Sequence, residues 1–393
     1  MPQKNGTKKK QSTIGKVRRG TRRTFSQIPV LKAALSAAQQ RFGHLPGVLG
    51  FGIGRQYHES QKKYGATPAH TGGLSIKVLV ERKKKKPARS ERIPRFIKVA
   101  WPGKKVPYKI LIDIVTFAHS HKELRSRDRL QVGRGWPTAG SITPGRTFVF
   151  GKKEAEEYGT QFSTSNQVRV GTTGAVFKTK SGSHYAISAG HVFTEPCRGQ
   201  TDCPTGIRAI GAMEKSFVQV EGDAFAPLSL VREGQTISDV MSFQVPNELL
   251  LNDLTWPDGF SQELAKPADI NRALLEEGKI TAFIWVERPG SERPQTIPVD
   301  LELQLSRFKD NVNCDGVLVP MEYGLTWGLL FTTDERTIGG DSGAGVFLIS
   351  EDGFHSRLLG FHFLMSGGRS YAMDAETFFR GVFGNSASQV IFA

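Results

Sequence analysis

The sequence contains no run of eighteen apolar residues, which excludes a membrane-spanning helix. It has three cysteines in 393 residues (Cys197, Cys203 and Cys314), too few for a disulfide scaffold. The odd count leaves at least one thiol free or paired between molecules. The first 24 positions lack the apolar stretch of a secretory signal and carry charge instead. Acids are missing from two segments. Residues 1–24 hold nine basic residues and no acid, and residues 81–105 hold eleven basic residues and two acids. Together these segments exceed the net charge of the whole chain, +16, so the remainder is slightly acidic. An acidic partner is therefore expected for the basic segments and not for the body. Tyrosine is scarce beside phenylalanine, 7 against 25, a bias toward packed interior. The length predicts two or three domains, and the chain reads as a soluble cytoplasmic protein with no membrane contact.

Residues 1–24 have too few apolar side chains to fold and are expected to form a disordered basic tail. Beyond Ser26 and Pro29, the residues Val30, Leu31, Ala34, Leu35 and Ala38 repeat with helical period, and Gly43 marks a stop. Val48–Ile53, Gly73–Val80 and Tyr108–Ala118 read as strands. One helix and several strands predict a small α/β domain over residues 25–125, with Lys83–Lys86 in an exposed connection. The Gly50–Gly54 run lacks the spacing and the following helix of a phosphate loop and reads as a packed strand. Residues 126–165, dominated by Arg, Gly, Pro, Thr and Ser, read as a linker crossing the surface. From residue 166 to 393 short β-like runs alternate with turn residues, among them Gly174–Thr179, His184–Ser188, Thr281–Val286, Thr296–Leu305, Ala344–Ile349 and Leu358–Leu364. That spacing predicts a mostly β barrel or sandwich. The clearest helix within it is Ala268–Glu277, with Asp269 as a cap and Gly278 as a stop.

Three stretches carry chemistry. Tyr185 to Val192 is an apolar strand ending in Ser-Ala-Gly-His, which presents His191. Glu221 to Leu228 places Asp223 at the head of a buried run. Gly339 to Phe347 holds Ser342 in a glycine-rich turn. A serine hydroxyl is a poor nucleophile near neutral pH and needs a base to take its proton. His191 is suited to that task, and a carboxylate would fix its tautomer and stabilise the imidazolium. Glycines ahead of the serine let backbone N–H groups, those of Gly340 and Ser342, turn toward an oxyanion.

In chain order and local wording these residues resemble the trypsin-like (chymotrypsin-fold) serine proteases. Ser-Ala-Gly-His is similar to the family's Thr-Ala-Ala-His, and Gly-Asp-Ser-Gly matches its nucleophile motif. The resemblance covers about residues 166–393. It implies two six-stranded β-barrels, with His191, Asp223 and Ser342 meeting between them, Gly340 and Ser342 as the oxyanion hole, and a protein or peptide substrate. Asp239, in Ser-Asp-Val-Met, is the substitute acid. Neither metal nor organic cofactor is implied. Three departures stand out. Val192 follows the histidine where extracellular members have cysteine, no Ile-Val-Gly-Gly start exists to bury an amino group against Asp341, and the long gap before Ser342 predicts an inserted lobe near 245–280.

Carried over in the same way, the specificity pocket would hold Arg336, Thr337 and His362. A threonine and a histidine there look like the glutamyl endopeptidases and are similar to viral 3C-type proteases. This implies preference for Glu, Asp or Gln before the scissile bond, because a hydroxyl and an imidazole can satisfy such side chains. Other readings are blander. His362 fits a core histidine equally well, His119 and His121 lack a third metal ligand, and Cys197 and Cys203 fit incidental thiols. The tail and residues 82–89 resemble nucleic-acid-binding stretches and would act mainly through phosphates. The alternative to an enzyme is a non-catalytic module on the protease fold, bound to an acidic partner or nucleic acid.

Overall fold

The computed structural model describes residues 28–57, 70–83, 87–100, 102, 107–117, 142–150, 169–180, 182–193, 207–210, 217–220, 239–245, 254–276, 279–288, 291, 293–314, 317–366, 368–383 and 391–393. The expected tail at 1–24, Asp223, His119, His121, Cys197, Cys203 and Gly278 lie outside the described residues.

Helix α1 (Ile28–Phe42) is followed by β1 (Val48–Tyr57), β2 (His70–Val80), β3 (Phe96–Val99) and β4 (Tyr108–Thr116). Short strands come next: β5 (Thr147–Phe150), β6 (Arg169–Thr172), β7 (Ala175–Lys178) and β8 (His184–Ser188). A single turn, α2 (Gly190–Phe193), precedes β9 (Ile207–Ile210), β10 (Phe217–Val220) and β11 (Met241–Val245). Then come β12 (Phe260–Leu264), α3 (Pro267–Leu275), β13 (Ala282–Val286), β14 (Gln295–Cys314), β15 (Val317–Tyr323) and β16 (Thr326–Phe331). The chain finishes with β17 (Gly345–Ile349), β18 (Ser356–Ser366), β19 (Arg369–Asp374), α4 (Ala375–Phe383) and β20 (Ile391–Phe392).

Strands β13, β17, β18, β19, β16 and β14 pair in that order, and pairing of β13 with β14 closes them into a six-stranded barrel. The sequence resemblance implies a second six-stranded barrel. Among the described residues, β10-β9-β5-β6 form one four-stranded sheet, and β11-β8-β7 with the C-terminal β20 form another. The stretch 126–165, read as a linker, contributes β5, whose residues pair with β6 and β9. Its polar composition hides a segment whose Ile142 and Thr143 are buried.

Strand β14 explains how the N-terminal part attaches. Its first residues, Gln295–Val299, pair with β13, but from Leu303 to Phe308 its partner is β1. The barrel sheet therefore runs on through β1, β2 and β4 to β3 at the edge. The segment read as a small α/β domain supplies α1 and four strands that extend the barrel sheet rather than build their own. Gly52 makes this possible. A Cβ there would lie 2.2 Å from the Gln304 carbonyl oxygen, so any side chain would push β1 off β14.

The helix α1 presents Val30, Leu31, Ala34, Ala38 and Phe42 as one buried stripe against Phe51, Ile53, Ile76 and Val78. Arg55 fixes the junction. Its buried guanidinium binds Asp300 of β14 and donates to the carbonyls of Ala273 and Leu274 at the end of α3. Within 245–280, where the sequence predicts an inserted lobe, the described residues include β12, which runs parallel to β18, and α3. Asp269 is not the cap of α3: Lys266 occupies that position without a side-chain hydrogen bond, and the Asp269 carboxylate pairs with Arg357 at 2.9 Å. No helix among the described residues is long and apolar enough to cross a membrane.

Candidate active site

The site begins with the pairing of β8 and β11. Ser188 faces Met241, so the residues just past β8 meet those just before β11. The Gly190 N–H accordingly donates to the Asp239 carbonyl at 3.1 Å. The same register brings the Asp239 carboxylate to His191. Its Oδ1 accepts the His191 backbone N–H at 2.8 Å, and its Oδ2 lies 2.6 Å from Nδ1. Asp239 is 3% exposed, so this acceptor is shielded from water. A carboxylate on Nδ1 selects the tautomer with the proton there, leaving Nε2 as an acceptor. The Ser342 hydroxyl stands 2.9 Å from Nε2. The acid in contact with His191 is the substitute, Asp239; Asp223 lies outside the described residues.

Ser342 is held from several directions. Its carbonyl accepts the Thr172 N–H at 2.8 Å, and the Gly340 carbonyl accepts the Thr172 hydroxyl at 2.7 Å. Gly343 has φ +96°, and a Cβ on it would lie 2.0 Å from Ser188 Oγ and 2.7 Å from Ala189 N. Only glycine lets the serine turn seat against the strand that carries the histidine. On the other side the Gly343 N–H donates to the His362 carbonyl at 2.7 Å. Among the described residues, the N–H groups of Gly340 and Ser342 donate to no other group of the chain.

Asp341, between them, is fully buried and paired with Arg288 at 2.6 Å. Its second oxygen accepts the Ile338 N–H at 2.7 Å, while Arg288 also donates to the Arg336 carbonyl at 3.1 Å. The guanidinium thereby grips both ends of the turn. Burial pushes the Asp341 carboxyl up to about 6 even though Arg288 opposes the shift. Arg288 carries no motif, and nothing in the sequence pointed to it. Its neighbour Glu287 accepts the Thr147 N–H at 3.2 Å and pairs with Arg146 at 3.3 Å. Two adjacent residues after β13 thus tie the serine turn and the β5 segment to the barrel.

Of the expected pocket residues, Thr337 is 2% exposed, and its hydroxyl is buried with no hydrogen-bond partner among the described residues. Leaving such a group unpaired costs about 1–3 kcal/mol, which a suitable ligand would recover. His362 is buried on β18, with its Nδ1 2.8 Å from the hydroxyl of Ser370, a partner that sequence reading did not single out. Burial pushes the imidazole down to about 3, assisted by His191 nearby, so His362 is neutral at working pH. Arg336 lies apart from these two in character. It is exposed, its guanidinium donates to the carbonyls of Thr333 and Glu335, and it sits over the Phe331 ring. Among the described residues no three His, Cys, Asp or Glu side chains gather as a metal site.

The mostly β fold class that the trypsin-like resemblance implies is the one observed, and the described residues contain one closed six-stranded barrel with further strands outside it. No family model matches the sequence, and no curated protein matches it. Among solved structures the chain is similar to the serine protease of a human pathogenic astrovirus, with 15% identity and a TM-score of 0.29 over 60% of this chain and 93% of that one. It is similar to a Nocardiopsis protease with 11% identity and a TM-score of 0.31, over 57% of this chain and 93% of that one. A murine norovirus protease aligns with 13% identity and a TM-score of 0.27, over 52% of this chain and 87% of that one.

Proposed function

We propose that this chain is a cytoplasmic serine endopeptidase whose triad is Ser342, His191 and Asp239, acting on protein or peptide substrates. The observation that carries this is the continuous hydroxyl–imidazole–carboxylate chain, 2.9 Å and 2.6 Å long at its two links. Ser342 Oγ attacks the scissile carbonyl while His191 Nε2 takes its proton. Asp239 holds the Nδ1–H tautomer and stabilises the imidazolium. The N–H groups of Gly340 and Ser342, lacking acceptors of their own among the described residues, receive the developing oxyanion. One such donor is worth about 3–4 kcal/mol of barrier. Collapse returns the proton to the leaving amine and leaves an acyl-serine, which water hydrolyses by the same proton route.

For the residue before the scissile bond the proposal is Glu, Asp or Gln. The Thr337 hydroxyl, unpaired among the described residues, and the neutral His362 imidazole support it, since both can hydrogen-bond a carboxylate or amide. Arg336, the other residue assigned to the pocket, is exposed and donates to carbonyls of its own loop. A positional-scanning peptide library in which the best cleavage follows Lys, Arg or an aromatic residue would refute the preference. The basic segments 1–24 and 82–89 would serve an acidic partner or nucleic acid.

A fluorophosphonate probe tests the central reading. Wild type should be labelled, and Ser342→Ala should not. An unlabelled wild type, or equal labelling of both, would favour a non-catalytic module on the same fold.

A further inference from the structure

Among the described residues, β3 is the edge of the extended sheet, and β4 is its neighbour. On the side of this sheet away from α1, two lysines face one another across the ladder, Lys98 opposite Lys109, and Phe96 stands opposite Leu111. Like charges set directly across an antiparallel pair are destabilising. Neither lysine forms an ion pair with any described residue. Nearer the barrel the same side is treated differently: Lys77 is buried and pairs with Asp113 at 2.9 Å. At the edge, charge accumulates without compensation.

Phe96 is 36% exposed, with the Lys109 ammonium 4.2 Å from its ring centroid and the Arg95 guanidinium 5.6 Å away. Lysines on an edge strand would by themselves serve to prevent strand-to-strand aggregation. An exposed aromatic ring set among them does not help with that. Cations flanking a solvent-facing ring do suit a single-stranded nucleic acid, whose bases stack on aromatic faces while its phosphates meet the cations. The adjoining connection adds exposed Arg82, Arg89 and Arg92.

We propose that the β3–β4 edge, centred on Phe96, Lys98, Lys109 and Arg95, is a binding surface for single-stranded nucleic acid. The surface is separate from Ser342, and the proposal stands whether or not the chain hydrolyses peptides. Binding should be driven largely by phosphate contacts and should weaken steeply with salt.

The test is fluorescence anisotropy of a fluorescein-labelled twenty-nucleotide oligouridylate with the full chain at several salt concentrations. Lys98→Glu with Lys109→Glu should weaken binding by at least ~10-fold and flatten the salt dependence. Lys266→Glu with Lys279→Glu, the same change of charge on another element, should have a much smaller effect. Phe96→Ala should weaken binding by at least ~5-fold and leave heparin retention unchanged, because stacking needs a base. Circular dichroism should report wild-type fold for each variant, as all these side chains are exposed. Equal losses from the two lysine pairs, or an unchanged affinity in Phe96→Ala, would overturn the proposal. Tighter binding of labelled polyglutamate than of the oligonucleotide would overturn it too, in favour of an acidic protein. Fluorophosphonate labelling of Ser342 should be the same in every variant, which separates this outcome from any failure of the hydrolase reading.

Discussion

The two sides of the candidate site are built on different physics. The imidazole side rests on strand register: once Ser188 faces Met241, Asp239 and His191 are neighbours with little further help. The hydroxyl side rests on a buried ion pair, in which Arg288 neutralises Asp341 and grips the serine turn at both ends. The partner of Asp341 is a guanidinium carried just past β13 of the barrel. A register is lost only when strands separate. A buried ion pair is sensitive to pH and to a single substitution, so the hydroxyl side is the more fragile.

If the two sides form one working unit, removing either end should abolish it equally. Ser342→Ala and His191→Ala should each lower kcat by on the order of 10⁶-fold, and the double variant should be no worse. Peptide hydrolysis rates that multiply in the double variant would mean that the sides act independently. The next largest effect concerns the ion pair. Arg288→Met leaves a buried carboxylate without its partner and should cost about 3–5 kcal/mol in urea unfolding. Adding Asp341→Asn should recover part of that loss. A single variant as stable as wild type would place the strength of the serine turn elsewhere.

The pH dependence follows from the Asp341 carboxyl, raised to about 6. A group raised above its unfolded value stabilises the fold when protonated. Its contribution is complete below about pH 4 and lost as pH rises through 6, a swing of about 3 kcal/mol. Thermal unfolding between pH 4 and 7 should therefore show wild type losing stability relative to Asp341→Asn. Parallel curves would contradict the burial of that charge. The smallest expected effect is on selectivity. Thr337→Val should reduce the preference for Gln over norleucine before the scissile bond by about 10–100-fold, the loss of one hydrogen bond in a buried site.

The same contrast explains what could be read from the sequence. His191 and Ser342 stand in local patterns, a strand end and a glycine turn, so both were legible. The strand His184–Ser188 was too, because its apolar residues are contiguous. Asp239 is harder to single out because its placement beside His191, 48 residues away, depends on strand register and not on adjacent residues. Arg288 and Ser370 act through tertiary contacts that leave no local trace. The apolar pattern of strand β14 ends at Leu305, because Ser306 to Cys314 is mostly polar. It is nonetheless strand, since β1 pairs with part of that stretch and β15 continues along it. The attachment of β1 to β14 joins segments some 250 residues apart, which composition and periodicity cannot signal.

The most direct measurement sets the two aspartates against each other. Second-order rates of fluorophosphonate labelling should fall by about 10⁴-fold in Asp239→Asn, where the imidazole loses its orienting carboxylate, and stay near wild type in Asp223→Asn. A reactive Asp239→Asn beside an inert Asp223→Asn would contradict the assembled site at its root.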